Sequence, residues 1–229
     1  MIDDTTIIII TKNNANRIKQ TIKELELYAK KYRNIKEVII HDNASFDGTP
    51  DKIIKSSLIK LIRNFRANIP YKKMLLEAIT EAKTNNIIIL EPELNTRLHQ
   101  IQRQIKKLRK SDLIIPNRHD KESTTKYADN KEELKSKAHN LLMQTITGLG
   151  YKDTHNINKA LRKNKILPIL KRTKNKEYYW EEAINKCKKK NMRITETPTH
   201  YIQESKQPEE LFSIIIKTIK ELNRIRRIK

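Results

Sequence analysis

Short apolar runs rich in isoleucine recur along the first half of the chain, and each one ends abruptly in polar residues. They lie at residues 6–11, 37–40, 60–62, 86–90 and 112–115. A short continuous apolar run is typical of a strand that is covered on both faces of its sheet. We therefore predict interior strands at these places, which restricts the chain to folds built on a layered sheet.

Segments with helical spacing separate these runs. The first stripe is formed by Ile18, Ile22, Leu25 and Ala29, and later stripes fall within residues 74–82 and 98–108. Thr49 and Pro50 supply a cap and a first-turn proline for a further helix through Ile53 and Ile54. Alternating strands and helices predict a mostly parallel, Rossmann-like α/β sheet with helices on both faces, in a single domain.

The second half of the chain is less periodic. Residues 119–132 are predicted to be a loop, and Pro116 is expected to stop the strand before it. Further expectations follow along the sequence: a helix from Leu134 to Gly148, a polar irregular segment at 151–162, a helix around 179–187, a strand at 193–201 and a final helix at about 209–228.

The composition limits the classes of binding partner but does not identify one. The 229 residues carry a formal net charge of +22, which attracts phosphates on a nucleic acid, an anionic membrane surface or a small substrate. Only 5% of residues are aromatic, and no nucleic-acid-binding motif is present, so a basic nucleic-acid-binding protein ranks behind the other interpretations. A single cysteine, Cys187, excludes an intramolecular disulfide. No apolar run approaches the ~20 residues of a membrane span, and we expect a cytoplasmic protein.

Carboxylates follow the most apolar run directly. Glu91 and Glu93 come after residues 87–90, and Asn95 adds a third oxygen donor. In open α/β sheets ligands bind at the carboxyl ends of the strands. Oxygen donors at this end would hold a hard divalent cation, Mg²⁺ or Mn²⁺, against a phosphorylated substrate. The alternative is that both glutamates are a solvated strand end.

The order of these segments resembles that of family 2 glycosyltransferases. The matching blocks are residues 7–18 (I-I-I-I-T-K-N-N-A-N-R-I), 37–49 (E-V-I-I-H-D-N-A-S-F-D-G-T), 87–95 (I-I-I-L-E-P-E-L-N), 112–118 (D-L-I-I-P-N-R), 148–154 (G-L-G-Y-K-D-T), 159–163 (K-A-L-R-K) and 181–198. The second-half blocks are most similar to the polyprenyl-phosphate, dolichol-phosphate mannosyltransferase-like branch. The resemblance implies a GT-A-type fold and covers roughly residues 5–206.

The resemblance also implies roles for individual residues. Nucleotide-sugar contacts fall on residues in the first half: Thr11, Asn13, Asn14, Asp42, Asn43 and Arg118. The metal-binding D-x-D of the family corresponds to Glu91 and Glu93, with Asn95 beside them. Asn43 stands where a second aspartate is usual, and both metal aspartates are glutamates in this chain. An active transferase and a catalytically degenerate nucleotide-sugar-binding protein of the same fold are therefore both open.

An active enzyme of this branch would move a hexose from a nucleotide-diphosphate sugar to a polyprenyl phosphate by direct displacement. A phosphate acceptor is already ionised and needs no strong base. With a glycan hydroxyl as acceptor, Asp153 or Glu182 would have to take the proton.

The predicted domain spans residues 1–206, with a nucleotide-binding half at 1–118 and an acceptor half at 119–206. Residues 207–229 form a predicted C-terminal amphipathic, basic helix. Its apolar stripe and terminal Arg and Lys cluster suit peripheral binding to an anionic membrane surface.

Overall fold

The computed structural model describes residues 3–66, 69–175 and 177–203. Strands in this part of the chain are β1 (Thr5–Thr11), β2 (Ile35–Asn43), β3 (Ile59–Asn64), β4 (Asn86–Leu90), β5 (Leu113–Asn117), β6 (Thr124–Lys126), β7 (Lys159–Arg162), β8 (Ile194–Pro198) and β9 (His200–Ile202). The α-helices are α1 (Ile18–Lys31), α2 (Tyr71–Glu81), α3 (Ile101–Leu108), α4 (Asn130–Thr147), α5 (Lys163–Lys171) and α6 (Tyr179–Lys189).

A central sheet of seven strands runs in the order β3-β2-β1-β4-β7-β5-β8. Every neighbouring pair is parallel except the two that include β7, which runs antiparallel to β4 and to β5. A small parallel pair, β6 with β9, stands beside the sheet. The predicted mostly parallel α/β sheet is confirmed, and β7 and β8 join both halves of the chain in it.

Two apolar layers cover the sheet, one on each face. Alternate residues of β1 point to opposite sides, with Ile8 in one core and Ile7 and Ile9 in the other. Helices α2, α5 and α6 pack on the first side, and α1 and α3 pack on the second. Every residue of β1 and of β4 is buried, as the continuous apolar runs predicted.

The helix predicted after Pro50 does not form. Only a 3₁₀ turn, Pro50–Lys52, is present, and Ile54 is 77% exposed. The Thr49 hydroxyl donates to Asp47 Oδ1 (2.5 Å) and accepts from the Asn14 amide (2.7 Å), so it does not cap a helix. Thr49, which together with Pro50 predicted the start of a helix, therefore makes a contact between loops instead.

Strand β7 was not predicted, and its residues lie in the segment expected to be irregular. Its sequence, K-A-L-R, lacks an apolar run. The strand is nevertheless central, because β4 and β5 both pair with it. Lys159 is fully buried there with its Nζ 4.8 Å from the centre of the Trp180 ring, so a cation–π contact replaces the apolar contact that a central strand usually makes.

Pro116 lies inside β5 and does not end it. At this position β5 pairs with β8 through Thr197, whereas β7 pairs only with Leu113 and Ile114. One edge of β5 is therefore free of ladder bonds at Pro116, and a proline is tolerated where no amide donor is required.

The segment expected to be a loop at 119–132 contains β6 and the start of α4. The helix begins at Asn130 because the Asp129 carboxylate accepts a hydrogen bond from the Glu132 amide (2.9 Å), which satisfies a free donor of the first turn. It ends at Gly148 with φ of 58°, a conformation that glycine adopts at little cost. Helix α5 was not predicted either, and it contains Pro168.

The predicted C-terminal helix, residues 207–229, lies outside the described residues. Across residues 3–66, 69–175 and 177–203, no helix combines the length and the apolar character needed to cross a membrane.

Candidate functional site

The carboxyl ends of the parallel strands meet at one edge of the sheet. Thr11 ends β1, Asp42 and Asn43 end β2, Glu91 follows β4, and Arg118 follows β5. This edge is where open α/β sheets bind their ligands. The structure therefore brings together candidate residues that are more than a hundred positions apart in the sequence.

The loops after β1 and β2 hold each other in place. Asp42 accepts hydrogen bonds from the Ser45 amide (3.0 Å) and the Ser45 hydroxyl (2.6 Å). Ser45 Oγ in turn accepts from the Asn13 amide (2.8 Å), and Asn13 Oδ1 accepts from the Phe46 amide (3.1 Å). Asn13 and Ala44 have φ of 51° and 50°, in the left-handed region that costs energy for residues other than glycine. The loops after β1 and β2 are therefore held together by hydrogen bonds, and each contains a residue in a strained backbone conformation.

Some buried polar atoms at this edge have no hydrogen-bond partner among the described residues. Thr11 Oγ1 and Asn43 Oδ1 are two of them. The amide nitrogen of the Asn43 side chain donates to the Ile69 carbonyl (3.3 Å), so only its oxygen remains free. A buried polar atom without a partner costs free energy, and a bound ligand is one way to satisfy it.

Glu91 and Glu93 occupy a tight turn at the end of β4. The Leu94 amide donates to the Glu91 carbonyl (3.1 Å), and Leu94 itself has φ of 53°. Because the chain turns, the two carboxylates contact different neighbours. Glu91 Oε2 accepts from Asn95 Nδ2 (2.8 Å), and Glu93 Oε1 accepts from Asn14 Nδ2 (2.8 Å).

The charges of these two glutamates still interact. Burial raises the pKa of Glu91 above its usual value, and the nearby Glu93 charge adds to this rise. Within the part of the chain that the structure describes, no group of three or more His, Cys, Asp or Glu side chains is arranged around a common metal position. The donor set is therefore two carboxylates with an amide beside them, which suits a cation whose other ligands are water and substrate phosphates.

Arg118 and Asp153 form a buried ion pair beside this turn. Arg118 Nε and Nη2 donate to the two carboxylate oxygens of Asp153 (2.8 and 2.9 Å), and the Arg118 amide donates to Oδ2 as well (2.9 Å). Burial by itself would raise the pKa of Asp153, but Arg118 outweighs burial and holds that pKa below its usual value. Asp153, predicted as a catalytic base, is therefore a fully engaged and weakly basic carboxylate.

A cavity of about 450 Å³ opens next to the ion pair. Its lining includes Glu91, Arg118, His155, Tyr178 and Tyr201. The Arg118 guanidinium lies 5.2 Å from the centre of the Tyr201 ring, which fixes one wall. Of the candidate nucleotide and metal residues, Glu91 and Arg118 reach the cavity, so it adjoins the strand-end loops.

Helix α4 covers the cavity with its polar side. The helix contributes Glu132, Lys135, Ser136, His139, Asn140 and Met143 to the lining. Leu134 and Leu141, which the spacing assigned to its buried stripe, are 60% and 66% exposed. A helix that turns mostly polar residues toward the cavity and leucines outward is not packed as a core element.

The two acidic residues at the start of α6 face different surroundings. Glu182, predicted as a base, accepts hydrogen bonds from the Lys174 and Asn175 amides (2.8 and 2.9 Å) and is not among the residues that line the cavity. Glu181 instead lies behind His155, with Oε1 3.4 Å from His155 Nδ1. Its position follows from the docking of α6, and the sequence contains no signal that separates it from Glu182.

Comparisons with known proteins agree with this architecture. A sequence profile described as "Glycosyl transferase family 2" matches residues 6–170. No curated protein gives a significant match to the chain.

Solved structures of glycosyltransferases share the fold at low sequence identity. Glucosyl-3-phosphoglycerate synthase from Mycobacterium tuberculosis, in complex with Mn²⁺, uridine diphosphate and glucosyl-3-phosphoglycerate, is 9% identical, with a TM-score of 0.63 over 96% of this chain and 77% of that one. Mannosyl-3-phosphoglycerate synthase from Rubrobacter xylanophilus is 10% identical, with a TM-score of 0.61 over 97% and 74%.

A third structure is a mannosyltransferase from Pyrobaculum calidifontis in complex with GDP-Man and Mn²⁺. It is 14% identical, with a TM-score of 0.62, and the match covers 97% of this chain and 68% of that one. These likenesses confirm the predicted GT-A-type fold. Because the family profile spans most of the sequence, the chain belongs to glycosyl transferase family 2.

Proposed function

We propose that this protein transfers a hexose from a nucleotide-diphosphate sugar to an acceptor bound in the cavity beneath α4. One observation carries the proposal. The strand ends of β1, β2, β4 and β5 lie at one edge of the sheet together with a strained polar loop pair and the turn of Glu91 and Glu93, and Glu91 and Arg118 of this edge also line the cavity. Residues 1–118 would then bind the donor and residues 119–206 the acceptor.

The donor nucleotide would lie against the loops after β1 and β2. Thr11 Oγ1 and Asn43 Oδ1 are buried acceptors that find no partner in the described parts of the chain, and Asp42 keeps free lone pairs on the oxygens that Ser45 contacts. Asn13 and Asn14 lie on the rim of the same loops. Together these groups would accept and donate hydrogen bonds to a base and ribose, and their fixed loops would limit the ordering cost of binding.

A divalent cation, Mn²⁺ or Mg²⁺, would lie between Glu91, Glu93 and the donor diphosphate, with Asn95 orienting Glu91. The fit rests on the donor set, since two carboxylates and phosphate oxygens satisfy such a cation. It also rests on the raised pKa of Glu91, which burial causes and the nearby Glu93 charge adds to, because a bound cation would favour the ionised carboxylate. When bound, the cation stabilises the charge that develops on the leaving diphosphate.

Arg118 is suited to bind a phosphate oxygen at the cavity mouth. Two of its nitrogens are held by Asp153, which fixes the guanidinium plane against Tyr201. An arginine held in this way presents its remaining donors without losing side-chain entropy on binding. We propose that Asp153 positions Arg118.

The resemblance to the polyprenyl-phosphate branch makes a lipid phosphate one candidate acceptor. The exposed leucines of α4, Leu134 and Leu141, support this assignment because they would face a lipid chain or a membrane surface. The second candidate acceptor is a hydroxyl group of a sugar or polyol. It requires a base in the cavity, which a phosphate acceptor does not.

A thermal-shift panel tests the donor proposal. UDP, GDP, UDP-glucose and GDP-mannose should each be measured with and without Mn²⁺, at moderate salt so that unspecific attraction to the +22 charge is screened. We expect at least one nucleotide diphosphate to raise the melting temperature, and Mn²⁺ to increase the shift. No shift with any nucleotide would contradict the proposal, and a shift without turnover in activity assays would identify a binding protein that has lost catalysis.

Replacing both turn glutamates by the shorter residue of the family tests the metal site. In the double variant Glu91→Asp, Glu93→Asp, each side chain is one methylene shorter. A metal site whose geometry fits glutamate should therefore lose Mn²⁺ affinity and activity. A site that has decayed should instead gain affinity. We expect the first result from calorimetry of Mn²⁺ with UDP present, using Glu133→Asp on the exposed side of α4 as a matched control. No heat from the unaltered protein at millimolar Mn²⁺ would argue against a metal.

A further inference from the structure

His155 is placed between the cavity and a buried carboxylate. Its side chain is 49% exposed and lines the cavity, whereas the Glu181 side chain is 1% exposed. His155 Nδ1 lies 3.4 Å from Glu181 Oε1. A ring nitrogen that faces a carboxylate carries the proton, so this tautomer leaves Nε2 as the proton acceptor of His155.

Glu181 is an ionised and well-held partner. The Thr154 hydroxyl donates to Oε1 (3.1 Å), while Oε2 is buried with no hydrogen-bond partner in the described part of the chain. Burial favours the neutral acid, but His155 and Lys159 together hold the pKa of Glu181 below its usual value. A buried carboxylate with a free oxygen, facing a half-exposed imidazole, would stabilise positive charge on that imidazole.

The other groups near His155 are neutral, paired with each other or directed at Glu181. Glu181 is therefore the carboxylate that would stabilise charge on His155. From α4, the His139 ring lies 4.7 Å away, and burial lowers the pKa of His139 to about 4, so it is neutral at neutral pH. From the segment before α6, the Tyr178 ring lies 5.7 Å away. Arg118 and Asp153 neutralise each other, and Lys159 faces Glu181 from β7.

We propose that His155 is the general base for transfer to an acceptor hydroxyl, with Glu181 as its positioning residue. This inference rests on the glycosyl transfer proposed above and names the acceptor class. The acceptor oxygen attacks the anomeric carbon of the donor sugar, and its proton passes to His155 Nε2. The bond from that carbon to the diphosphate oxygen breaks, and the nucleoside diphosphate leaves with the electron pair.

The lining of the cavity suits a polyhydroxyl acceptor. Four carboxylates line it: Glu91, Glu132, Asp153 and Glu177. Two of them are paired with cations of the same lining, Asp153 with Arg118 and Glu132 with Lys135. Three tyrosines contribute aromatic rings and phenol groups: Tyr127, Tyr178 and Tyr201. Carboxylates accept hydrogen bonds from sugar or polyol hydroxyls, and aromatic rings pack on the apolar face of a sugar.

Turnover of UDP-glucose and GDP-mannose by the full chain tests the inference. Release of nucleoside diphosphate should be measured with Mn²⁺, using water, glucose, mannose and glycerol as hydroxyl acceptors and undecaprenyl phosphate as the phosphate acceptor. We expect hydroxyl-dependent turnover that His155→Asn lowers by ~10²–10⁴-fold, the usual contribution of a general base. Melting temperature and UDP affinity should stay unchanged, and His99→Asn, outside the cavity lining, should keep full turnover.

Glu181→Gln separates positioning from structure. This variant keeps the size of the side chain and removes the charge that stabilises protonated His155. We expect Glu181→Gln to lower kcat with KM unchanged, and Glu181→Asp to restore part of the lost kcat.

Several outcomes overturn the inference. They are retained turnover in His155→Asn, turnover with undecaprenyl phosphate alone, and binding of nucleotide sugar without any turnover to water or the hydroxyl panel. Absence of nucleotide and nucleotide-sugar binding by the unaltered protein would be different, because it would remove the proposed function itself.

Discussion

The strand-end loops and the cavity beneath α4 are stabilised in different ways. In the loops after β1 and β2, polar side chains bind the backbone of the adjoining loop, as Ser45 does with Asn13 and Thr49 does with Asn14. In the cavity, charged side chains pair with each other, as Arg118 does with Asp153. Substitutions in the loops should therefore change ligand affinity, whereas substitutions in the cavity should also change the stability of the fold.

The largest effect is expected for the Arg118–Asp153 pair. Arg118→Met leaves the Asp153 carboxylate buried without its partner, and breaking a buried pair in this way costs about 3–5 kcal/mol. Urea unfolding measures the loss. Lys137→Met is the matched control, since it breaks the exposed pair with Glu133 and should cost at most ~1 kcal/mol. Equal losses of unfolding free energy in the two variants would show that the buried pair contributes no more to stability than the exposed one.

The same pair makes stability depend on pH. Arg118 depresses the pKa of Asp153 in the folded state, so the stabilisation is present above the ordinary carboxylate pKa of ~3.9 and is lost as pH falls through the depressed value. Unfolding free energy should therefore fall more steeply below ~pH 4 in the unaltered protein than in Asp153→Asn. Parallel curves for the two proteins would contradict this assignment.

A smaller effect, on ligand affinity, is expected at Asp42. Asp42→Ala removes hydrogen bonds to a bound base and should weaken nucleotide binding by ~1–3 kcal/mol if they are buried. Ser45→Ala is the control for loop anchoring, because it removes the hydroxyl that joins Asp42 to Asn13 but keeps the Asp42 carboxylate. Calorimetry with UDP and GDP measures both. Equal losses would mean that Asp42 acts by holding the loop.

The smallest effect is expected for Glu91→Gln in the absence of metal. Because burial raises the pKa of Glu91, the folded state favours its neutral form, and this contribution to stability is lost as pH rises. The neutral glutamine should therefore be more stable than glutamate at pH 7, with a difference that shrinks toward pH 4. Melting curves resolve it, since each kcal/mol moves Tm by ~2–4 °C for a chain of this size. Adding Mn²⁺ with UDP should reverse the order.

Local patterns predicted the first half of the fold because most strands there are covered on both faces, whereas β3 lies at the edge of the sheet and is only partly buried. Runs such as residues 7–10 and 87–90 are apolar throughout, and the structure buries them completely. Local chemistry predicted less well where tertiary contacts replaced the usual pattern. Strand β7 was missed because Lys159 packs on Trp180, and the turn after Pro50 was misread because Thr49 binds Asp47 and Asn14.

The candidate site residues fall into the same two groups, those that the sequence identified and those that depend on tertiary contacts. Glu91 could be chosen from its place after an apolar strand, whereas Thr11, Asp42 and Arg118 were chosen from the family resemblance. The structure places all four at strand ends, which share one edge in a parallel sheet. His155 could not be chosen, since it lies in a polar segment without periodicity. Its proposed role depends on contacts with α4, which precedes it in the sequence, and with α6, which follows it.

The sequence by itself determined the layered parallel sheet, because strand length, burial and the alternation with helices follow from its apolar pattern, and its ordered motif blocks indicated the family. Tertiary structure alone decided which acidic residue of α6 lies against His155. Glu181 and Glu182 are adjacent, so helical geometry points them about 100° apart. The docking angle of α6 against the sheet places Glu181 behind His155 and Glu182 against the amides of Lys174 and Asn175, and no local pattern encodes that angle.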